Sequence, residues 1–289
     1  MTERSALAPA KVNLFLHVGP VDDAGYHPLA SLVAFADIGD RVAVAPADRL
    51  SLTVEGPFAL ELAGPGDNLI LRALRALGEA AGIGEPPLAV ILDKRLPVAA
   101  GLGGGSSDAG AALKLARDAL RLDLDDDALA DIAATIGADG PMCLHARPAW
   151  AEGRGERLTP EPRLPSLPAL LINPGVASPT GEVYRAYDAG PAAAAADRPP
   201  PPPAWDLEAV LDWLAARRND LEDAAVGRAP AIAEALAAAG SLVRVRLVRM
   251  SGSGATVFAL FETPADAVAA GRALAATHPQ WWITPTNLG

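Results

Sequence analysis

The run Leu96-Pro97-Val98-Ala99-Ala100-Gly101-Leu102-Gly103-Gly104-Gly105-Ser106-Ser107-Asp108 concentrates the residue types that hold a chain of phosphates. Glycines occupy four of the five positions 101–105, so no side chain keeps a bulky polyanion away from the backbone. Ser106 and Ser107 follow where N-caps are favoured, which would aim free N–H groups and the positive end of a helix at one point. The apolar residues 88–92 before the run have the character of a buried strand. Ala109, Ala112, Leu113, Ala116 and Leu120 after it recur at helical steps. Strand, glycine turn and helix start in that order make a phosphate cradle. It is not a Walker loop, because no Lys-Ser or Lys-Thr follows the last glycine, and the glycine spacing departs from the dinucleotide fingerprint.

Other chemistry-bearing residues are scattered along the chain. Residues 8–18 alternate as a strand, with Val12, Leu14, Leu16 and Val18 on one face and Lys11, Asn13, Phe15 and His17 on the other. A lysine on such a face is ordinarily solvated, but Phe15 beside it argues for partial cover. Tyr26 and His27 lie in a turn over residues 22–28, and Pro28 pushes His27 into an extended conformation. Asp139, within Gly137-Ala138-Asp139-Gly140-Pro141, is by type an ordinary turn residue. Tyr184 follows a turn at residues 174–176, with Thr180 placed as an N-cap. Small residues fill the segment Met250-Ser251-Gly252-Ser253-Gly254-Ala255-Thr256 between two apolar runs, where backbone could approach a ligand.

These stretches resemble, in order, the three motifs of the GHMP kinases (galactokinase, homoserine kinase, mevalonate kinase and phosphomevalonate kinase families). Ala8-Pro9-Ala10-Lys11-Val12-Asn13-Leu14 is similar to the first, residues 96–107 to the second and residues 250–256 to the third. The resemblance covers nearly the whole chain, and its longer glycine run is nearest the branch whose alcohol substrate carries a cytidine diphosphate. It implies an ATP-dependent kinase with residues 97–107 on the ATP phosphates and magnesium accompanying the nucleotide. Asp139 would be the catalytic aspartate, with Lys11 orienting it and stabilising charge on the moving phosphoryl group. Asn68 and Lys94 would border the adenosine. Asn13, Tyr26, His27, Thr180 and Tyr184 would hold the alcohol substrate, with Tyr26 and Tyr184 stacking on opposite faces of the cytosine. Two features depart from the pattern: Gly140 stands where valine or isoleucine is usual, and Pro28 where threonine or glutamate is expected. A sister kinase would keep the three motifs but have no reason for the cytosine residues. A nucleotide-binding protein without turnover would be expected to have lost Lys11 or Asp139.

Composition bounds the remaining possibilities. The chain has 289 residues, enough for two ordinary domains, and is 51% hydrophobic but only 4% aromatic, so Ala, Leu and Val must build the core. A formal net charge of -11 argues against nucleic acid as a partner. The single cysteine, Cys143, excludes an internal disulfide and fits a buried strand thiol between Met142 and Leu144. The four histidines show no paired metal-ligand spacing, so no protein-caged metal is expected. The first seven residues lack a secretory layout, and no apolar run approaches the roughly 20 residues a membrane span needs. The expectation is a cytoplasmic enzyme of small molecules, monomeric or a weak homodimer, with neither nucleic-acid nor membrane partners.

The elements that must position these residues follow from pattern. Short strands are expected at 31–35, 41–44 and 50–54, the first two separated by Gly39-Asp40, and Asp67 caps a helix over 68–81. A helix capped at 125–127 ends at Gly137, a strand covers 142–144, and a hairpin turns at 153–155. Helices at 207–216, 230–239 and 265–275 alternate with strands at 170–173, 243–248, 257–261 and 281–284. Residues 192–196 and 198–203 form a low-complexity Ala/Pro tract. The fold class is α+β. The resemblance implies a ribosomal-protein-S5-like domain over 1–160 and a ferredoxin-like domain over 161–289.

Overall fold

Gly39 and Asp40 do not break the chain, as expected from their types, but sit inside one long strand. In the computed structural model, which describes residues 3–23, 25–62, 68–191 and 196–289, β1 is Arg4–Val18 and β2 is Leu29–Pro46, and the two pair. Gly39 belongs there because a Cβ would run into the Ala8 carbonyl of β1, a close backbone approach only glycine allows. Asp40 is fully buried and finds its partners inside the protein. Both faces of β1 are buried from Ala10 to Val18, so Lys11 and Asn13 lie in the interior.

Two compact units divide the chain. The first comprises the chain up to Lys11, Ile38–Val98 and Gly103–Ala146; the second comprises Val12–Asp37, Ala99–Leu102 and Arg147–Gly289. In the first, the second half of β2 runs antiparallel to β4 (Leu88–Asp93), with Arg41 opposite Asp93, and β4 runs parallel to β3 (Ser51–Glu55). Helices α1 (Leu69–Ala80), α2 (Gly104–Leu120), α3 (Asp126–Ile136) and α4 (Gly140–His145) share one core with this sheet, including Val42, Leu74, Leu77, Leu92, Leu113 and Leu129. The α1 N-cap is Asn68, whose side chain accepts from the Ile70 N–H; the expected cap Asp67 lies outside the described residues. Asp125 caps α3 as expected, accepting from Ala128 N–H at 2.8 Å. The strand expected at 142–144 is instead α4. Its short apolar run was ambiguous by period, and Pro141 in the first turn favours a helix start.

In the second unit β7 (Leu167–Asn173) is central, antiparallel to β10 (Trp282–Leu288) on one side and β9 (Val257–Leu260) on the other, with β8 (Leu247–Met250) beyond β9. The first half of β2 pairs with β5 (Ala149–Gly153), which forms the expected hairpin with β6 (Arg157–Pro160). Helices α5 (Thr180–Asp188), α6 (Leu207–Ala215), α7 (Glu222–Arg228), α8 (Ala231–Gly240) and α9 (Pro264–Thr277) complete it. β8 starts four residues later than expected, because Arg244 takes a left-handed conformation (φ 64°) before it. Thr180 is the first helical residue of α5 rather than its cap, which is Pro179. Among the described residues no helix is long and apolar enough to cross a membrane.

Candidate active site

Lys11 and Asp139, 128 positions apart in the chain, meet as an ion pair with 3.2 Å between Nζ and the carboxylate in the first unit. The Lys11 side chain is buried on β1, whereas 41% of the Asp139 side chain is exposed at the N-cap of α4. A buried cation beside a half-open carboxylate gives a proton acceptor fixed at one oxygen and reachable by a ligand. Asp139 is fixed from below by α4, its carbonyl accepting the Cys143 N–H at 3.0 Å. Gly140 allows this placement. It does not use the left-handed region; instead α3 approaches so closely that a Cβ would collide with the Ala133 carbonyl oxygen. Cys143 is a buried helix thiol, not a strand thiol. Burial and the Asp139 charge push it up to about 12 despite Lys11, which rules it out as a nucleophile at neutral pH.

The glycine run delivers a helix N-terminus to the same place. Gly103 is the N-cap of α2 in a left-handed conformation (φ 62°), and a Cβ there would lie 3.2 Å from both Lys11 Cβ and Cys143 Sγ. Ser106 and Ser107 are therefore first-turn residues rather than caps, because a glycine's backbone starts the helix. The Ser107 N–H already bonds to the Gly103 carbonyl, so the first-turn amides before it are those that helix geometry leaves for an anion. Lys94, expected to border the adenosine, is buried behind this turn, with its ammonium 2.5 Å from Asp40 and 2.8 Å from Asp108. The Asn68 side-chain oxygen caps α1.

In the second unit, the middle of the glycine run is fastened to the loop after β8. The Thr256 N–H donates to the Ala100 carbonyl, and the Ser251 hydroxyl donates to the Gly101 carbonyl at 2.9 Å. Gly101 (φ 73°) has no room for a side chain against the Ser251 carbonyl. Asn13 joins this knot: its N–H donates to Ser251 Oγ, and its Nδ2 donates to Ser31 Oγ at 2.8 Å. Arg249, buried in β8, donates to the Leu14 carbonyl and holds β1 beside it. Thr180 Oγ1 lies 2.8 Å from Ser253 Oγ, tying α5 to the same loop.

The aromatic residues of this unit gather around His27. Tyr184 packs against His27, with ring centroids 5.2 Å apart, and Tyr187 meets the same imidazole edge-on at 5.8 Å. Both nitrogens of His27 are engaged, Nδ1 by the Gly19 carbonyl at 2.8 Å and Nε2 by Asp188 at 3.0 Å. Tyr26 is 54% exposed and lies under the Arg154 guanidinium at 3.8 Å. Tyr187, Asp188 and Arg154 escape sequence reasoning. Asp188 had a faint signal, since it stands four residues after Tyr184 on one helix face. Asp40 and Asp108 had no such signal, because their elements carry other charged residues, Asp37 and Arg41 in β2 and Lys114, Arg117 and Asp118 in α2.

The chain is similar to known proteins over nearly its whole length. The model of the GHMP kinase N-terminal domain matches residues 68–147, and that of the GHMP kinase C-terminal domain matches residues 206–280. A 4-diphosphocytidyl-2-C-methyl-D-erythritol kinase of Caulobacter vibrioides (strain NA1000 / CB15N) is 54% identical over 287 residues, covering 98% of this chain and 99% of the relative. One from Methylobacterium radiotolerans is 50% identical over 291 residues, with both chains fully covered. The crystal structure of a 4-(cytidine 5'-diphospho)-2C-methyl-D-erythritol kinase superposes with a TM-score of 0.79 at 38% identity, covering 99% of each chain. The chain belongs to the GHMP kinases, on the branch of the 4-diphosphocytidyl-2-C-methyl-D-erythritol kinases.

Proposed function

We propose that the protein transfers the terminal phosphoryl group of ATP to the 2-hydroxyl of 4-diphosphocytidyl-2-C-methyl-D-erythritol, a step of non-mevalonate isoprenoid synthesis in the cytoplasm. The observation that carries this reading is the Lys11–Asp139 pair, set against the Gly103 cap of the phosphate loop. Asp139 accepts the proton of the substrate hydroxyl as its oxygen bonds to phosphorus and the bond to ADP breaks. Lys11 keeps that carboxylate in place and puts positive charge beside the phosphoryl group as it moves. The first-turn amides of α2 hold the phosphates, and Gly104 and Gly105 leave them room to approach.

Among the described residues there is no group of three or more His, Cys, Asp or Glu that could hold a metal; a magnesium ion would come with the nucleotide, held by its own phosphates. When bound with ATP, it offsets phosphate charge. His27, held by Gly19 and Asp188, offers its ring face and backbone rather than free nitrogens to the cytosine, with Tyr184 and Tyr26 as further stacking surfaces.

The test is ATP consumption by purified protein over a panel of alcohols. Turnover of the cytidine-linked alcohol alone is expected; preference for mevalonate or homoserine would overturn the substrate assignment. Tyr184→Ala should weaken binding of the cytidine substrate by about 1–3 kcal/mol, the range for one lost base-stacking face, while ATP affinity holds. An unchanged substrate Kd in the folded variant would make Tyr184 a packing residue only.

A further inference from the structure

Three buried side chains behind the phosphate loop have no part in the chemistry above. Lys94, Asp40 and Asp108 are 3%, 0% and 3% exposed, and the lysine ammonium lies 2.5 Å and 2.8 Å from the two carboxylates. An ion cluster costs desolvation, and an apolar core of the same volume is often at least as stable, so its presence calls for a role beyond adhesion. Its connections give one. The second oxygen of the Lys94–Asp40 contact pair is not idle: Asp40 Oδ1 accepts the N–H groups of Arg95 at 2.6 Å and Leu96 at 2.8 Å, the residues that open the glycine run. Asp108 belongs to α2 one turn past its start, at the other end of that run. Lys94 is itself clamped through its backbone, its N–H donating to the Glu55 carbonyl at 2.7 Å and its carbonyl accepting from Phe58. A Cβ placed on Gly104 would lie 3.1 Å from Lys94 Nζ, so the cluster forms the floor directly under the first turn of α2.

We propose that the Lys94–Asp40–Asp108 cluster is a positioning device that holds the two ends of the glycine run at the spacing a nucleotide triphosphate needs, acting on ATP binding without touching the nucleotide. Lys94 is then a positioning residue rather than an adenosine contact, and Asp40, with no exposed surface, is its equal. The inference rests on the kinase reading for the identity of the ligand.

The experiment uses the full chain and reads binding of a non-hydrolysable ATP analogue by calorimetry, alongside steady-state KM and kcat. Asp40→Asn keeps an oxygen for the Arg95 and Leu96 amides but removes one charge from the lysine. It should weaken the analogue about tenfold, as Lys94→Met should, and the double variant should lose less than the product of the two. Because Lys94→Met leaves buried carboxylates without their cation and can prevent folding, the Asp40→Asn/Lys94→Met/Asp108→Asn variant provides a charge-free core of similar shape. In that folded variant the KM for ATP should rise at least tenfold while kcat and the KM for the alcohol stay within about twofold. Hydrogen exchange of the 103–107 amides should quicken in parallel. Wild-type analogue affinity in Asp40→Asn or in the triple variant overturns the proposal. So does an equal loss of kcat and of affinity for both substrates, which marks general damage. A wild-type protein that binds the analogue yet phosphorylates no alcohol would defeat the kinase reading and leave the positioning role intact.

Discussion

Gly140 stands where a β-branched residue is usual in the resembling kinases, directly after the proposed base. Glycine is the residue type with the most backbone freedom, but here it serves close packing instead. It is the point at which α3 and α4 come into backbone contact, closed to any side chain by the Ala133 carbonyl. Gly140→Val should therefore overpack the α3–α4 contact and cost about 1–3 kcal/mol. Because the displacement falls on the residue next to Asp139, turnover should fall with ATP affinity unchanged. Thermal melting and kcat on one preparation check both, and a variant with wild-type stability would show that α3 can yield. The pair Lys11–Asp139 itself supports a sharper expectation. Asp139→Asn preserves shape and removes the proton acceptor, so kcat should drop by about 10²–10⁴, the usual range for a general base. Lys11→Met should also lower kcat, and the double variant should lose less than the two losses combined, since the residues touch. Wild-type single-turnover rates in Asp139→Asn would remove the residue from the mechanism.

At the scale of elements, what decides the outcome is which groups a loop borrows from its neighbours. Gly105 shows this against Gly104. A Cβ on Gly105 meets only the Leu69 side chain, nearest at Cδ1, 3.1 Å away, the far end of a flexible side chain, whereas one on Gly104 meets the buried Lys94 ammonium. Gly105→Val should fold and yet weaken ATP, because its branched side chain stands where phosphate must approach; ATP kinetics of the folded variant equal to wild type would take the loop out of the site. The sequence made much of this legible. The strand, glycine turn and helix around residue 100 follow from period and residue type, and so do the Asp125 cap and the hairpin of β5 and β6. What stayed hidden was long-range. Gly39 and Asp40 look like a turn unless one knows that Ala8 presses on the first and Lys94 neutralises the second. Residues 142–144 are too few for a helix period to be told from a strand. Lys11 and Asp139 could be paired only by resemblance, since nothing local in either stretch points to the other. The aromatic group around His27 was visible as residues but not as contacts, because Asp188 takes a ring nitrogen that composition left open.

At the scale of the whole molecule, a formal net charge of -11 makes the carboxylates the groups that set its response to pH. They are displaced in opposite directions. Burial alone would raise Asp37, but hydrogen bonds from Thr286 and Asn287 outweigh it and hold the carboxyl below its usual range. The Arg117 hydrogen bond lowers Asp126, and the Arg163 hydrogen bond lowers Glu161. A carboxyl lowered by folding contributes stability that is present above its unfolded value and is lost as pH falls through the folded one. Asp108 goes the other way. Burial, opposed by Lys94 and reinforced by the charge of Asp40, pushes it up to about 7 from an ordinary value of 3.8. The groups facing it are that lysine after β4, which the two carboxylates keep protonated against its burial, Asp40 in β2, and the Cys143 thiol of α4. The folded state thus binds the Asp108 proton more tightly than the unfolded chain does. This contribution to stability is complete below about pH 4 and disappears as pH rises through 7. Asp108→Asn removes the titration but keeps the shape. Melting temperatures of both proteins from pH 4 to 8 should therefore shift in the variant's favour as pH rises, with most of the change between pH 4 and 7. A difference in melting temperature that stays constant across that window would mean that Asp108 does not titrate there.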